Sequence, residues 1–141
     1  SISLDLIIAD LPMAHFIVEY SANLDDNAVD LPDLFDKLHQ AAVATELFPL
    51  AGIRSRAHRC EHFRVADGDS HYGFVHLQVK VGAGRSEQQL QTAAQAFFDV
   101  LSDHLQALYQ QQGLAISFEM TELPTTLKYN QNNLRDYLAR K

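Results

Sequence analysis

Among the 141 residues there is a single cysteine, Cys60. It has no intramolecular disulfide partner, and a chain of this kind is expected in the cytoplasm, where thiols stay reduced. A strand thiol with neutral neighbours packs rather than reacts, so Cys60 is not read as a nucleophile. Tryptophan is absent, and proline and glycine are sparse at four and six residues, which excludes collagen-like and low-complexity architectures. Basic residues are outnumbered, 11 Lys and Arg against 18 Asp and Glu, for a formal net charge of -7. That balance argues against nucleic acid and anionic membranes as partners, and any small anion would need a local basic pocket. Long apolar runs are missing as well. The most apolar stretch, 1–12, carries Asp5 and Asp10 and lacks a basic leader, so it is neither a convincing signal peptide nor long enough to cross a bilayer.

What is present is a chain 47% apolar, enough for one well-filled core. Met13 stands where a translation start would be expected. Residues 1–13 are therefore read as an N-terminal extension and 14–141 as one domain. The extension is expected to pack along a sheet edge or a neighbouring subunit, near the mouth of the site.

His15 to Tyr20 is β-branched and aromatic, the pattern of a buried strand. Asn23 to Asp30 is polar and turn-forming. Asp30 and Pro32 then open a helix whose stripe is Leu31, Leu34, Phe35, Leu38, Ala42 and Thr45, closed by Pro49 and Gly52. Ile53 to Val65 and Tyr72 to Val81 read as strands around an Ala66–Asp69 turn, and they are expected to pair as an antiparallel hairpin. Gly82-Ala83-Gly84 ends the second of these. Ser86 with Gln89 is a capping box. The helix it opens carries Leu90, Ala94, Phe97, Leu101, Leu105 and Leu108 and stops at Gly113. Leu114 to Leu123 alternates as a fourth strand, and Asn133 to Arg140 reads as a short helix.

Strand-helix-strand thus occurs twice. The expected class is α+β: duplicated β-α-β units forming a four-stranded mixed sheet with two helices on one face. The other face is expected to be apolar and covered by further copies of the chain.

Two arginines stand out chemically. A guanidinium is a permanent planar cation shaped to grip carboxylates. Arg85 directly precedes the Ser86 cap, where helix amides also favour anions. Arg54 follows Gly52 at a strand start. The plainer alternative for each is a surface salt bridge. Arg56 shares a strand face with Arg54 and is read as a second clamp member or, preferably, a subunit contact. His58, Cys60 and His62 are zinc-type ligands on one strand face, but residues four apart on a strand are roughly 13 Å apart, too far to converge on one ion. They read as partly exposed strand residues, and no metal is expected. His71 and His76 show no closing pattern. His39 and His104 are expected at the surface or an interface. Tyr20, Tyr72, Phe74 and Phe118 are expected in the core or an interface.

Ala14-His15-Phe16-Ile17-Val18-Glu19-Tyr20-Ser21, Phe48-Pro49-Leu50-Ala51-Gly52-Ile53-Arg54-Ser55-Arg56 and Val81-Gly82-Ala83-Gly84-Arg85-Ser86 together resemble the 5-carboxymethyl-2-hydroxymuconate isomerases, a branch of the tautomerase superfamily. The later Asn130-Gln131-Asn132-Asn133 run looks like that family's tail, so the resemblance spans His15 to about Asn133. It implies a homotrimer whose sheets surround a central core, and a cofactor-free isomerase that moves a dienol proton from oxygen to a distant carbon of a small carboxylated substrate. It also implies that Arg54 and Arg85 bind the carboxylates. The family's base is an amino-terminal proline, and this chain has Ala14 there. A chain starting at Ala14 would offer a primary amine instead, whereas an interior Ala14 has only an amide nitrogen, without a basic lone pair. His15, adjacent and with a suitable intrinsic pKa, is the substitute base to consider. The alternative reading is a weakened or inactive relative that at most binds small carboxylates.

Overall fold

A computed structural model describes residues 13–141 of the chain; the expectations placed on residues 1–12 lie outside the described residues. Strand β1 (Ala14–Ser21) is followed by a short helix α1 (Asp26–Val29), helix α2 (Leu31–Ala44) and a 3-10 turn (Leu50–Gly52). Strands β2 (Ile53–Cys60) and β3 (Tyr72–Val81) come next, then helices α3 (Glu87–His104) and α4 (Gln106–Gln111), strand β4 (Gly113–Glu122) and helix α5 (Leu134–Leu138).

The sheet order is β2-β1-β3-β4. β2 runs parallel to β1, β3 antiparallel to β1, and β4 parallel to β3. The expected β2–β3 hairpin does not form, because β1 lies between the two strands. β1 is the strand whose helix-facing side chains, Ala14, Phe16 and Val18, are entirely buried, so it takes a central place with a neighbour on each edge. The eleven residues 61–71 are also far longer than a tight hairpin loop, and they carry the chain past β1. β2 accordingly stops at Cys60 rather than Val65.

One sheet face packs against α2 and α3. Phe16 meets Phe97 edge to face at 4.9 Å, and Leu34, Leu38, Leu101 and Leu105 close the layer without exposure. Burial of these side chains supplies the bulk of the fold's driving force, about 1.5–3 kcal/mol for each large one. Asp30, at φ 45, ends α1 and caps α2, its side chain accepting from the Asp33 N–H at 3.4 Å. The predicted long second helix is broken at Leu105, and Ala93 rather than Ala94 is the fully buried alanine.

The open face is not apolar as expected. Its rows, read across the strands in register, are Arg54–His15–Lys80–Thr121, then Arg56–Ile17–Gln78–Glu119, then His58–Glu19–His76–Ser117. Only Ile17 in these rows is apolar, because the alternate positions of β2, β3 and β4 are occupied by charged and hydroxyl side chains. His76 is held there, with Nδ1 2.6 Å from the Ser117 hydroxyl and Nε2 3.0 Å from the Glu119 carboxylate.

Candidate active site

One end of the sheet gathers every segment the sequence singles out. Ala14 opens β1 and pairs with Ile53 on one side and Val81 on the other. The Gly82 N–H donates to the Met13 carbonyl at 3.1 Å, and the Leu123 N–H donates to the Val81 carbonyl at 2.7 Å. Met13 and Ala14 are both buried, and Ala14 points into the helix-facing core. As the chain is described, the Ala14 nitrogen is a peptide amide.

Arg85 is placed by the turn after β3. Gly84 holds φ 113, a conformation L side chains rarely adopt, and this swings Arg85 back toward the loop after α2. Its Nε and Nη2 both donate to the Leu47 carbonyl, at 3.3 and 2.8 Å, and Nη1 donates to the Gly82 carbonyl at 2.8 Å. The guanidinium lies 4.3 Å from the centre of the Phe48 ring. Burial lowers its pKa, opposed by the Glu122 carboxylate, yet a guanidinium stays charged at neutral pH. Arg85 is therefore a rigidly mounted cation. Its Nε/Nη2 edge is committed to a single carbonyl, so it offers an anion a fixed charge more than that fork. The capping box is present as expected: Ser86 Oγ accepts from the Gln89 N–H at 3.1 Å and Gln89 Oε1 accepts from the Ser86 N–H at 2.9 Å. Those two amides are thus occupied within the helix.

Arg54 is exposed on the open face, because its neighbours Ile53 and Ser55 turn toward the helices, where Ser55 Oγ bonds His39 Nε2. The two arginines flank the same sheet end from opposite faces. Arg56 points the same way as Arg54. His15 also faces the open side, away from Arg85. Burial, then Arg54, Arg56 and Lys80, hold its imidazole below the usual pKa, so it stands neutral at pH 7.

Several contributors escaped sequence reasoning. Leu47 and Phe48 cradle Arg85 through a backbone carbonyl and a ring face, and nothing in residue type announces the first. Lys80 was legible only as an alternating β3 position. Asn132 donates to the Ala51 carbonyl at 2.9 Å, so the tail run is tied to the turn before Arg54. The helix histidines are at seams rather than the surface. His39 is half-buried beside Phe16, and His104, its side chain 5% exposed, lies 2.7 Å from the Val29 carbonyl through Nε2. Tyr20 is buried and Phe118 packs against the core. Among the described residues no group of His, Cys, Asp or Glu stands in metal-holding geometry. No helix among them is long and apolar enough to cross a membrane. A groove of about 670 Å³ between α2 and α3 is lined by uncharged residues such as Ala41, Thr45 and Thr92. Lacking a cation, it does not suit a carboxylate.

The sequence model of the family described as 5-carboxymethyl-2-hydroxymuconate isomerase matches residues 14–138. The chain is 47% identical over 122 residues to a 5-carboxymethyl-2-hydroxymuconate Delta-isomerase of Escherichia coli, covering 86% of this chain and 96% of that one. It also superposes on a 5-carboxymethyl-2-hydroxymuconate isomerase of Deinococcus radiodurans R1 with a TM-score of 0.83 at 36% identity, over 90% of this chain and 95% of the other. A fused 4-OT symmetric trimer shares the fold, with a TM-score of 0.57 at 15% identity over 82% of this chain and 94% of its own.

Proposed function

The chain belongs to the 5-carboxymethyl-2-hydroxymuconate isomerase family, and from that premise we propose that it is an isomerase that converts a small unsaturated enol di- or tricarboxylate to its keto form, with 5-carboxymethyl-2-hydroxymuconate as the type substrate. The observation that carries this reading is the convergence of Ala14, the Arg54 strand start and the Arg85 turn at one sheet end.

The chemistry needs a base near neutrality and fixed positive charge for the substrate's carboxylates. The base is the α-amino nitrogen of a chain beginning at Ala14. Such an amine titrates at about 8 in isolation, and neighbouring guanidiniums bring it lower. It takes the enol hydroxyl proton, the electron pair shifts through the conjugated system, and the ammonium returns the proton to the distant carbon. No electrons leave or enter. Arg85, mounted on Leu47 and Gly82, and Arg54 hold the carboxylates and stabilise the charge that builds on the enolate oxygen. Three copies assemble into a homotrimer, which brings the Arg54 face of one protomer to the sheet end of another. The trimeric 4-OT relative of the same fold and the uncovered sheet face support that arrangement. The lone Cys60 supports a cytoplasmic setting.

The test follows the ultraviolet absorbance of the dienol with a chain starting at Ala14 and with one that retains Met13. Turnover is expected in the first and is reduced by roughly 10² or more in the second. Arg54→Ala and Arg85→Ala in the Ala14 form should each lower kcat/KM by about 10²-fold. Equal activity in both amino-terminal forms would overturn the assignment of the base.

A further inference from the structure

The open face carries a second, unassigned feature beside the arginine already discussed. Its first row sets Arg54, His15 and Lys80 on adjacent strands in register, and Arg56 stands two residues along β2 from Arg54. In-register neighbours on adjacent strands are about 5 Å apart. Thr121 completes the row with a hydroxyl. Three cations thus surround one imidazole, and the row contains no carboxylate. The nearest acid, Glu119 in the next row, is taken by His76 at 3.0 Å. Glu19 lies a further row away, between His58 and His76. Among the described residues none of Arg54, Arg56 and Lys80 enters an ion pair or a side-chain hydrogen bond. At the centre, His15 Nε2 is buried and finds no hydrogen-bond partner. A buried polar atom without a partner costs about 1–3 kcal/mol, and three like charges packed together cost more. Both costs vanish if an oxyanion sits in the row, accepting from the His15 N–H and from the three cations.

We propose that the row Arg54–His15–Lys80, with Arg56, is a binding site for a small oxyanion, a carboxylate or a phosphate. The site shares Arg54 with the substrate clamp, and its carboxylate form rests on that reading; its inorganic form does not. Where the anion is a substrate carboxylate, the row is a distal subsite that selects for a further negative group on the substrate. Where it is inorganic, it neutralises the cationic end of the open face, and three such ends would otherwise repel one another in a trimer.

The test uses the whole protein with histidine rings labelled, read by NMR at constant ionic strength while inorganic phosphate is added, the His15 signal being assigned by its loss in His15→Gln. A saturable shift confined to His15 is expected, with a weakening of about tenfold or more in Arg56→Gln/Lys80→Gln. In a second arm a saturated dicarboxylate is added. If it displaces phosphate, the row belongs to the substrate; if phosphate alone binds, the row holds an inorganic ion. Absence of any saturable His15 shift in the unaltered protein with either anion, or an undiminished shift in the double variant, would overturn the proposal. Neither readout needs turnover, so an inactive protein that still binds phosphate keeps this inference while losing the isomerase reading.

Discussion

At the residue scale the site is built from side chains held in place by partners of quite different kinds. Arg85 owes its orientation to two carbonyls and a ring, so the role assigned to it is that of a fixed charge. His15 and His39 show the opposite device, imidazoles kept neutral. Burial is the main cause for both, reinforced at His15 by the surrounding cations and opposed at His39 by Asp36. Their folded pKa values lie below the ordinary 6.5. Beneath that value the unfolded chain takes up protons that the folded chain refuses, so stability is unaffected by these groups above it and falls as the pH drops through it. Urea midpoints measured at about pH 7.5, 6 and 5 should therefore decline, and His39→Gln should flatten part of the decline. Midpoints independent of pH across this range would show that neither ring is held neutral. The arginines were legible because their flanking glycines and strand starts are patterned. The Leu47 carbonyl was not, since a backbone acceptor has no residue signature.

At the element scale the turn 82–86 does the placing. It ends β3, passes through Gly84 at φ 113, presents Arg85 and starts α3 with a reciprocal cap. Gly84→Ala should cost about 1–3 kcal/mol, because the added Cβ makes that conformation strained. It should also raise KM by misplacing Arg85. Urea unfolding alongside substrate kinetics checks both, and a variant indistinguishable from the parent would remove the turn from the account. The sequence pattern identified this cap, both long helices and the alternation of β3 and β4. It misjudged how the strands meet. Sequence adjacency suggested a β2–β3 hairpin, whereas the apolar content of β1 on its buried side demanded a central position. Local pattern specifies which residues alternate, but pairing is decided by which strand has most to bury, and that is settled only when the whole sheet is assembled.

At the scale of the whole molecule, the sheet has one face covered by helices and one face that is charged. The expectation of an apolar face was replaced by a polar one, and assembly through it must match charge rather than bury hydrocarbon. Basic rows at one end and the Glu19, His76 and Glu119 rows further along allow that match. Sedimentation equilibrium should give three times the 15.8 kDa chain mass, with the assembly weakened by added salt. A monomer at micromolar concentration would contradict the trimer. The central claim is that two guanidiniums at a single sheet end serve one isomerisation beside the Ala14 amine. The most direct measurement is the rate of dienol loss for the Ala14-starting protein with Arg54→Ala, Arg85→Ala and both. The account predicts a loss of about 10²-fold for each single change and a double variant near the uncatalysed rate. Full activity in the double variant would contradict it.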